Sequence, residues 1–167
     1  MIVVADTSPL NYLIQIDCQS LLHTLYDRVL MPTAVLTELR DSNSPAVIKE
    51  WLLHLPEWVA VRSIAVAPDP TLLALGPGER EAIQLSEEQG ADLLLIDERR
   101  GRTEARLRGL ATAGTLGVLP AAGERGLVDA PAYYDRLMRE TNFRATQRLQ
   151  EDFLRQLRNR DRKPTVD

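Results

Sequence analysis

The sequence predicts an α/β fold in which helices cover both faces of a central, mainly parallel sheet. Residues 2–5 and 93–96 form short, continuous apolar segments, and such segments are typical of strands buried on both faces. Stretches with helical spacing separate them from each other and from further strand candidates, which favours parallel pairing through crossover connections. Each segment is followed by an aspartate, Asp6 or Asp97, at the edge where open α/β sheets place their ligands.

The first half of the chain alternates between predicted strands and short helices. Ser8 is expected to cap the first helix, with Pro9 in its first turn. Pro32 ends the second strand, and Thr33 caps the helix that follows. The last strand of this half is expected at an edge of the sheet. The predicted elements are strands at 2–5, 28–31 and 59–64 and helices at 10–16, 20–26, 33–39 and 46–55.

The second half contains the other aspartate-terminated strand and then becomes helical. Gly90 and Gly109 are expected to end two of the helices, because glycine readily adopts the left-handed conformation of a helix C-terminus. The predicted elements are a weak helical turn within 68–77, helices at 78–90 and 100–107, a strand at 92–96, and a strand with a turn at 111–118. Beyond Pro120 the prediction is helical, with breaks near Gly126, Pro131 and Asn142.

Composition limits the classes of function. No apolar stretch reaches the ~20 residues that span a bilayer, the N-terminus lacks the pattern of a signal peptide, and Cys18 is the only cysteine. We therefore expect no membrane association, no disulfide and a cytoplasmic protein. Residues 1–98 carry five Lys and Arg against fifteen Asp and Glu, whereas residues 99–167 carry fifteen against nine, giving net charges of −10 and +6. This asymmetry is typical of a metal site beside a polyanion-binding surface, or simply of solvated basic helices.

Carboxylates stand near the ends of several predicted elements: Asp6, Glu38, Glu79, Glu81 and Asp97. Mg²⁺ and Mn²⁺ prefer oxygen ligands, and a pair of such ions can activate water and stabilise the leaving oxygen of a phosphodiester. Each carboxylate also has a purely structural interpretation. The two aspartates can cap helices, Glu38 can be a surface residue, and Glu79 is favourably placed in the first turn of a helix. Spacing does not distinguish Glu79 from Glu81 as a ligand.

Other catalytic schemes lack the residues that they need. His23 and His54 lie among apolar neighbours in helical segments, so a Ser-His-Asp or Cys-His arrangement has no evident base. The glycine-rich residues 75–79 lack the Lys and Ser or Thr of a phosphate-binding loop. A receiver-like phosphoacceptor domain needs a lysine near a strand end, and neither Lys49 nor Lys163 is in such a place.

Five segments of the chain, in order, resemble PIN-domain ribonucleases, and most closely the VapC-like toxins. They are VVADTSPL at the first strand, MPTAV leading to Glu38, GEREAI at the predicted 78–90 helix, ADLLLID with the following ERRGR, and GTLGVL at residues 114–119. The resemblance covers residues 2–128. It implies a three-layer α/β/α sandwich for this part of the chain. It also implies Mg²⁺- or Mn²⁺-dependent hydrolysis of RNA. Beyond this part, the sequence itself predicts a C-terminal helical extension at 129–160 and a disordered tail at 161–167.

The same resemblance assigns roles to residues. Asp6, Glu38 and Asp97 correspond to metal-site acids, and the helix acid falls most naturally on Glu81, with Glu79 as the other match. Thr7 and Ser8 correspond to polar residues that brace Asp6, and Thr115 corresponds to one that faces the site from the last strand. Many relatives have a further aspartate after the last strand, where this chain has Gly117, Val118 and Leu119, so one or two ions remain possible.

We therefore predict a metal-dependent endoribonuclease that is the toxin of a toxin–antitoxin pair. Its expected partners are RNA, a small antitoxin protein and a second copy in a homodimer. Arg99, Arg100 and Arg102 follow the second aspartate-terminated strand, where they can neutralise substrate phosphates or form a solvated helix face. The alternative is a catalytically weak or inactive PIN-like binding module that acts through a protein partner.

Overall fold

A computed structural model describes the backbone of residues 1–161 and the side chains through Arg158. Its five strands form one parallel sheet in the order β3-β2-β1-β4-β5, which confirms the predicted α/β class. The third strand lies at an edge, as expected. The strands are β1 (Ile2–Ala5), β2 (Arg28–Pro32), β3 (Val59–Arg62), β4 (Leu93–Leu95) and β5 (Thr112–Ala113).

Nine α-helices accompany the sheet within the described residues, and a single 3₁₀ turn occupies Pro70–Leu72. Helices on both faces of the sheet complete the three-layer architecture. They are α1 (Thr7–Gln15), α2 (Ser20–Tyr26), α3 (Thr33–Leu39), α4 (Ala46–Leu53), α5 (Pro77–Gln89), α6 (Arg99–Leu107), α7 (Thr115–Glu124), α8 (Ala130–Glu140) and α9 (Gln147–Asp161). Residues 162–167, which include most of the tail predicted to be disordered, lie outside the described residues.

Several predicted boundaries are wrong, and two of the errors concern the candidate site. The first helix begins at Thr7, so that Asp6 and not Ser8 occupies its N-cap position. The strand predicted at 111–118 is limited to Thr112–Ala113, because α7 already begins at Thr115. Pro131, which was expected to break a helix, lies in the first turn of α8, where its missing N–H costs nothing.

The two central strands are apolar throughout because each contributes to a hydrophobic core on both faces of the sheet. In β1, Val3 and Ala5 belong to one buried cluster and Val4 to the other. In β4, Leu95 belongs to the first cluster and Leu94 to the second. This alternation follows from the pleat, which directs successive side chains to opposite faces.

The C-terminal helices pack against the sheet domain. Helices α8 and α9 both contact α7. Phe143 and Phe153 are buried in the larger core cluster, where the Phe143 ring meets Tyr12 edge-on at 5.0 Å and the Phe153 ring stacks on Tyr134 at 4.7 Å. Within residues 1–161, no helix is both long and apolar enough to cross a bilayer.

Candidate metal centre

The order of the strands reverses direction at β1, with β2 and β3 on one side and β4 and β5 on the other. Helices leave the carboxyl ends of β1 and β4 toward opposite faces of such a sheet, which opens a crevice at this point. Asp6 follows β1 directly, and Asp97 lies two residues after β4. The Asp6 amide donates to the Leu95 carbonyl oxygen at 2.9 Å, which ties the two strand ends together.

Asp6 is buried in this crevice with unused hydrogen-bonding capacity. Its side chain makes no capping hydrogen bond to α1, and its Oδ1 atom has no hydrogen-bond partner among the described residues. Burial raises the pKa of the Asp6 carboxyl to about 8, although the Thr7 amide opposes this effect. The negative charges of Glu79, Glu38 and Asp97 raise the pKa further. A pKa this high favours the protonated form of Asp6 at neutral pH, and a cation in the crevice would favour the ionised form.

Glu38 extends from α3 toward Asp6 and α5. Its Oε2 atom accepts a hydrogen bond from the Thr7 hydroxyl, and its Oε1 atom accepts one from the Gly78 amide at 2.7 Å. A Cβ atom at position 78 would lie 2.5 Å from Glu38 Oε2. Glycine at this position is therefore required for the approach of the Glu38 carboxylate to α5.

Asp97 is partly buried and is held by the start of α7. The Thr115 amide donates to Asp97 Oδ1 and the Thr115 hydroxyl to Oδ2, both at 2.7 Å. A Cβ atom at Gly114 would lie 2.6 Å from Oδ1. Burial raises the pKa of the Asp97 carboxyl, whereas the Thr115 hydrogen bonds and the charge of Arg102 lower it. Asp97 does not cap α6, because Glu98 has that role.

The contacts favour Glu79 over Glu81 as the helix acid of this centre. The pKa of Glu79 is raised by burial and then by the charges of Glu98 and Glu38, against the Gly76 amide and Arg100. Asp6 in turn experiences the charge of Glu79. Glu79 Oε2 accepts a hydrogen bond from the Gly76 amide, at the start of its own helix, at 3.1 Å. Glu81 Oε2 instead reaches another helix, where it accepts from the Ala34 amide at 2.8 Å and satisfies a free N–H at the start of α3. The crevice thus brings together Asp6, Glu38, Glu79 and Asp97.

The remaining predicted residues surround this group. The Thr7 hydroxyl braces Glu38 rather than Asp6. Thr115, which begins α7 rather than lying on the last strand, braces Asp97. Ser8 lines an adjacent cleft with Asp97. Arg102 lies beside Asp97. Its Nη1 atom and Asp97 Oδ1 both lie close to the position that a Cβ atom at Gly114 would occupy, at 3.4 Å and 2.6 Å. Arg99 and Arg100 are exposed at the start of α6.

Three clefts open from the acidic crevice, and the C-terminal segment borders each of them. One of about 490 Å³ contains Thr7 and Glu38 and extends to residues 140–142. Another of about 230 Å³ lies between Asp97 and residues 142–144. A third of about 210 Å³ separates Asp97 and Arg102 from α9. The sequence did not predict that the C-terminal segment would border these clefts. The only sign of it was the excess of basic residues after position 98.

The donor chemistry fits a hard divalent cation. All four carboxylates carry oxygen donors of the kind that Mg²⁺ and Mn²⁺ prefer, and the buried Asp6 Oδ1 atom has no hydrogen-bond partner among the described residues. Gly78 and Gly114 leave room for carboxylate oxygens that a side chain would displace. Among the described residues, however, no three His, Cys, Asp or Glu side chains converge closely enough to form a ready-made site.

The fold and the position of the acids define a PIN-like protein. A family model described as a PIN domain, DUF3368, matches residues 2–159. The chain belongs to the PIN-domain family, whose members are generally metal-dependent nucleases. The match includes α8 and most of α9.

A solved structure shows a similar fold. It is a PilT N-terminus domain protein from the hyperthermophilic archaeon Sulfolobus solfataricus P2, with a TM-score of 0.52 and 15% sequence identity over 87% of this chain and 100% of the other. At this identity the similarity concerns the fold alone. None of the curated proteins compared with the chain is detectably similar to it.

Proposed function

We propose that the protein is a Mg²⁺- or Mn²⁺-dependent endoribonuclease whose catalytic centre is the crevice between β1 and β4. The observation that carries this proposal is the buried Asp6 carboxylate, whose Oδ1 atom has no partner in the described structure and whose neighbours are three further carboxylates. Concentrating four acids in one crevice is costly unless protons or a cation neutralise them. Membership of the PIN-domain family favours the cation.

Asp6, Glu38, Glu79 and Asp97 would hold one or two ions. A bound ion would supply an activated water and neutralise charge on the phosphodiester. The hydrogen bonds of Glu38 and Asp97 do not prevent this role, because each carboxylate oxygen has two lone pairs. Thr7 and Thr115 orient these two carboxylates, and Asp6 must release its proton before it can serve as a ligand.

The Asp97→Asn substitution tests the proposal. Asparagine has nearly the same shape and can still accept from the Thr115 amide, so we expect the variant to fold. It should lose at least a hundred-fold in RNA cleavage, roughly the effect of removing about 3 kcal/mol of transition-state stabilisation. Cleavage of labelled RNA is measured with Mg²⁺ or Mn²⁺ and with EDTA, and Asp135→Asn, in an exposed part of α8, is the matched control. Wild-type cleavage that persists in EDTA would contradict the metal-dependent scheme.

A second candidate is an inactive PIN-like module that acts through a protein partner. The observation that favours it is the lack of a ready three-ligand site among the described residues, together with the internal hydrogen bonds of Glu38 and Asp97. Tight partner binding, with no RNA cleavage in the presence of either metal ion, would support this candidate.

The cellular role that we propose is that of a VapC-like toxin in the cytoplasm, paired with a small antitoxin and forming a homodimer. The support is the sequence resemblance at residues 94–102 and 114–119. Growth arrest on expression, relieved by co-expression of the product of a short neighbouring gene, tests the toxin role. Light scattering of the purified chain tests the dimer.

A further inference from the structure

Arg144 lies in the loop at residues 141–146, between α8 and α9. Arg144 lines the cleft of about 230 Å³ that also contains Asp97, Ser8 and Tyr12. The loop is anchored there by Phe143, which is buried and packs edge-on against Tyr12 at 5.0 Å. A buried anchor next to an exposed arginine holds the base of the side chain in place while its guanidinium remains accessible.

The guanidinium group has free hydrogen-bonding capacity. Its one hydrogen bond within the described residues goes from Nη1 to the Phe143 carbonyl oxygen at 3.1 Å, whereas a guanidinium carries five N–H donors. No carboxylate of the described residues forms a salt bridge with it. Arg108, by comparison, is paired with Asp69, Glu87 and Glu104 and has a structural role.

A positive charge at position 144 would favour the binding of a polyanionic substrate, because the crevice itself is strongly acidic. An RNA strand that approaches Asp97 meets the carboxylates of Asp6, Glu38, Glu79 and Glu98 in or beside the crevice. Ions held at the centre would neutralise the scissile phosphate, but the neighbouring phosphates would still experience these negative charges. Arg102 lines one cleft that contains Asp97, and Arg144 lines another cleft that also contains Asp97. The positive charge of Arg144 also acts on Tyr12 in the same cleft. Burial and the charge of Asp97 raise the pKa of Tyr12, and Arg144 offsets part of this rise.

We propose that Arg144 is a positioning residue that binds a non-scissile backbone phosphate of single-stranded RNA in the cleft that it shares with Asp97. The planar guanidinium suits bidentate contact with phosphate oxygens. Through this residue the C-terminal segment takes part in substrate binding. The proposal rests on the proposed ribonuclease function, and the experiment separates the two.

The experiment compares Arg144→Gln, Arg144→Lys and the control Arg139→Gln in the full chain. Arg139 is an exposed arginine of α8 in the same segment and lines none of the three clefts. Binding of a fluorescein-labelled, mixed-sequence single-stranded RNA is measured by anisotropy with Ca²⁺ at several salt concentrations. Steady-state cleavage of the same RNA is measured with Mg²⁺ or Mn²⁺, and thermal unfolding monitors folding.

For Arg144→Gln we expect an approximately ten-fold increase in Kd and KM, the effect of losing one charge-assisted contact, with kcat within about two-fold of wild type. The slope of log K against log salt should become shallower by about 0.7, the value for one phosphate contact to a single strand. Arg144→Lys should recover much of the binding, because it keeps the charge. Arg139→Gln should match wild type.

Equal effects of Arg144→Gln and Arg139→Gln, or an unchanged salt slope, would overturn the proposal, as would a wild-type protein that does not bind RNA. If the wild type binds RNA but does not cleave it with either metal ion, the ribonuclease function fails. The binding measurements then still decide the role of Arg144. A fall in kcat with unchanged KM would assign Arg144 to the chemical step, which also contradicts positioning.

Discussion

The burial of Asp6 makes the stability of the metal-free protein depend on pH. The ordinary pKa of an aspartate is 3.8, and in the folded protein the pKa of Asp6 is about 8. The folded state therefore keeps a proton that the unfolded chain releases, and the free energy of unfolding must fall as the pH rises between these two values. Replacing Asp6 with asparagine removes this titration and leaves a side chain of similar shape.

The expected magnitude follows from the two pKa values. At about 1.4 kcal/mol per pH unit, the difference between 3.8 and about 8 corresponds to an upper limit of roughly 6 kcal/mol. Between about pH 5 and about pH 8 we expect the wild type to lose about 4 kcal/mol through Asp6. The pKa values of Asp97 and Glu79 are also raised, so the wild type and the variant share part of the slope. The difference between the free energies of unfolding of the two proteins therefore reports the titration of Asp6.

The assay is urea unfolding in EDTA over this pH range, followed by tryptophan fluorescence from Trp51 and Trp58. Asp6→Asn should be more stable than wild type, with a difference that grows as the pH rises, while the exposed-site control Asp135→Asn should follow wild type. Adding Mg²⁺ or Mn²⁺ should stabilise the wild type more at pH 8 than at pH 6, because the ion competes with the proton. Parallel pH profiles for Asp6→Asn and wild type would refute the argument that an uncompensated buried carboxylate occupies the crevice.

Two further predictions compare the roles of neighbouring residues in α5 and at its N-cap. Glu79→Gln should reduce metal-dependent cleavage by at least ten-fold, because its carboxylate belongs to the acidic group. Glu81→Gln should leave cleavage largely unchanged and cost about 1 kcal/mol of stability, measured by urea unfolding, because it weakens the bond to the Ala34 amide. The opposite pattern would make Glu81 the ligand. Gly78→Ala should reduce cleavage by displacing Glu38, since the added Cβ lies 2.5 Å from Oε2, whereas Gly76→Ala, with a 3.9 Å contact, should not. Equal activity of the two alanine variants would show that the Glu38–Gly78 contact does not matter for cleavage.

Much of the sheet could be predicted from the chain because its signals are local. An apolar segment with no polar alternation indicates a strand buried on both faces, and β1 and β4 are such strands at the centre of the sheet. Asp6 and Asp97 therefore had to emerge at the same edge once both strands were parallel. The prediction at 111–118 was wrong because Thr112–Ala113 is too short for a periodic signal, and α7 begins immediately afterwards.

The candidate centre was less accessible to sequence reasoning. Glu79 and Glu81 are two residues apart on one helix, and helical spacing assigns each to a face without specifying which face meets β1. The observed contacts depend on how α3 and α5 pack: Glu38 reaches α5 where Gly78 permits it, and Glu81 lies at the start of α3. The role of Thr115 also arises from packing, because its partner Asp97 is 18 residues away.

The sequence alone determined the class of fold, the two strands that end in aspartate and the excess of negative charge before residue 98, because each of these is a property of neighbouring residues. Tertiary structure decided which acids share the crevice and brought the loop with Arg144 to its rim. The physical reason is that strand order and helix packing set distances between residues far apart in the chain, and no local pattern encodes those distances.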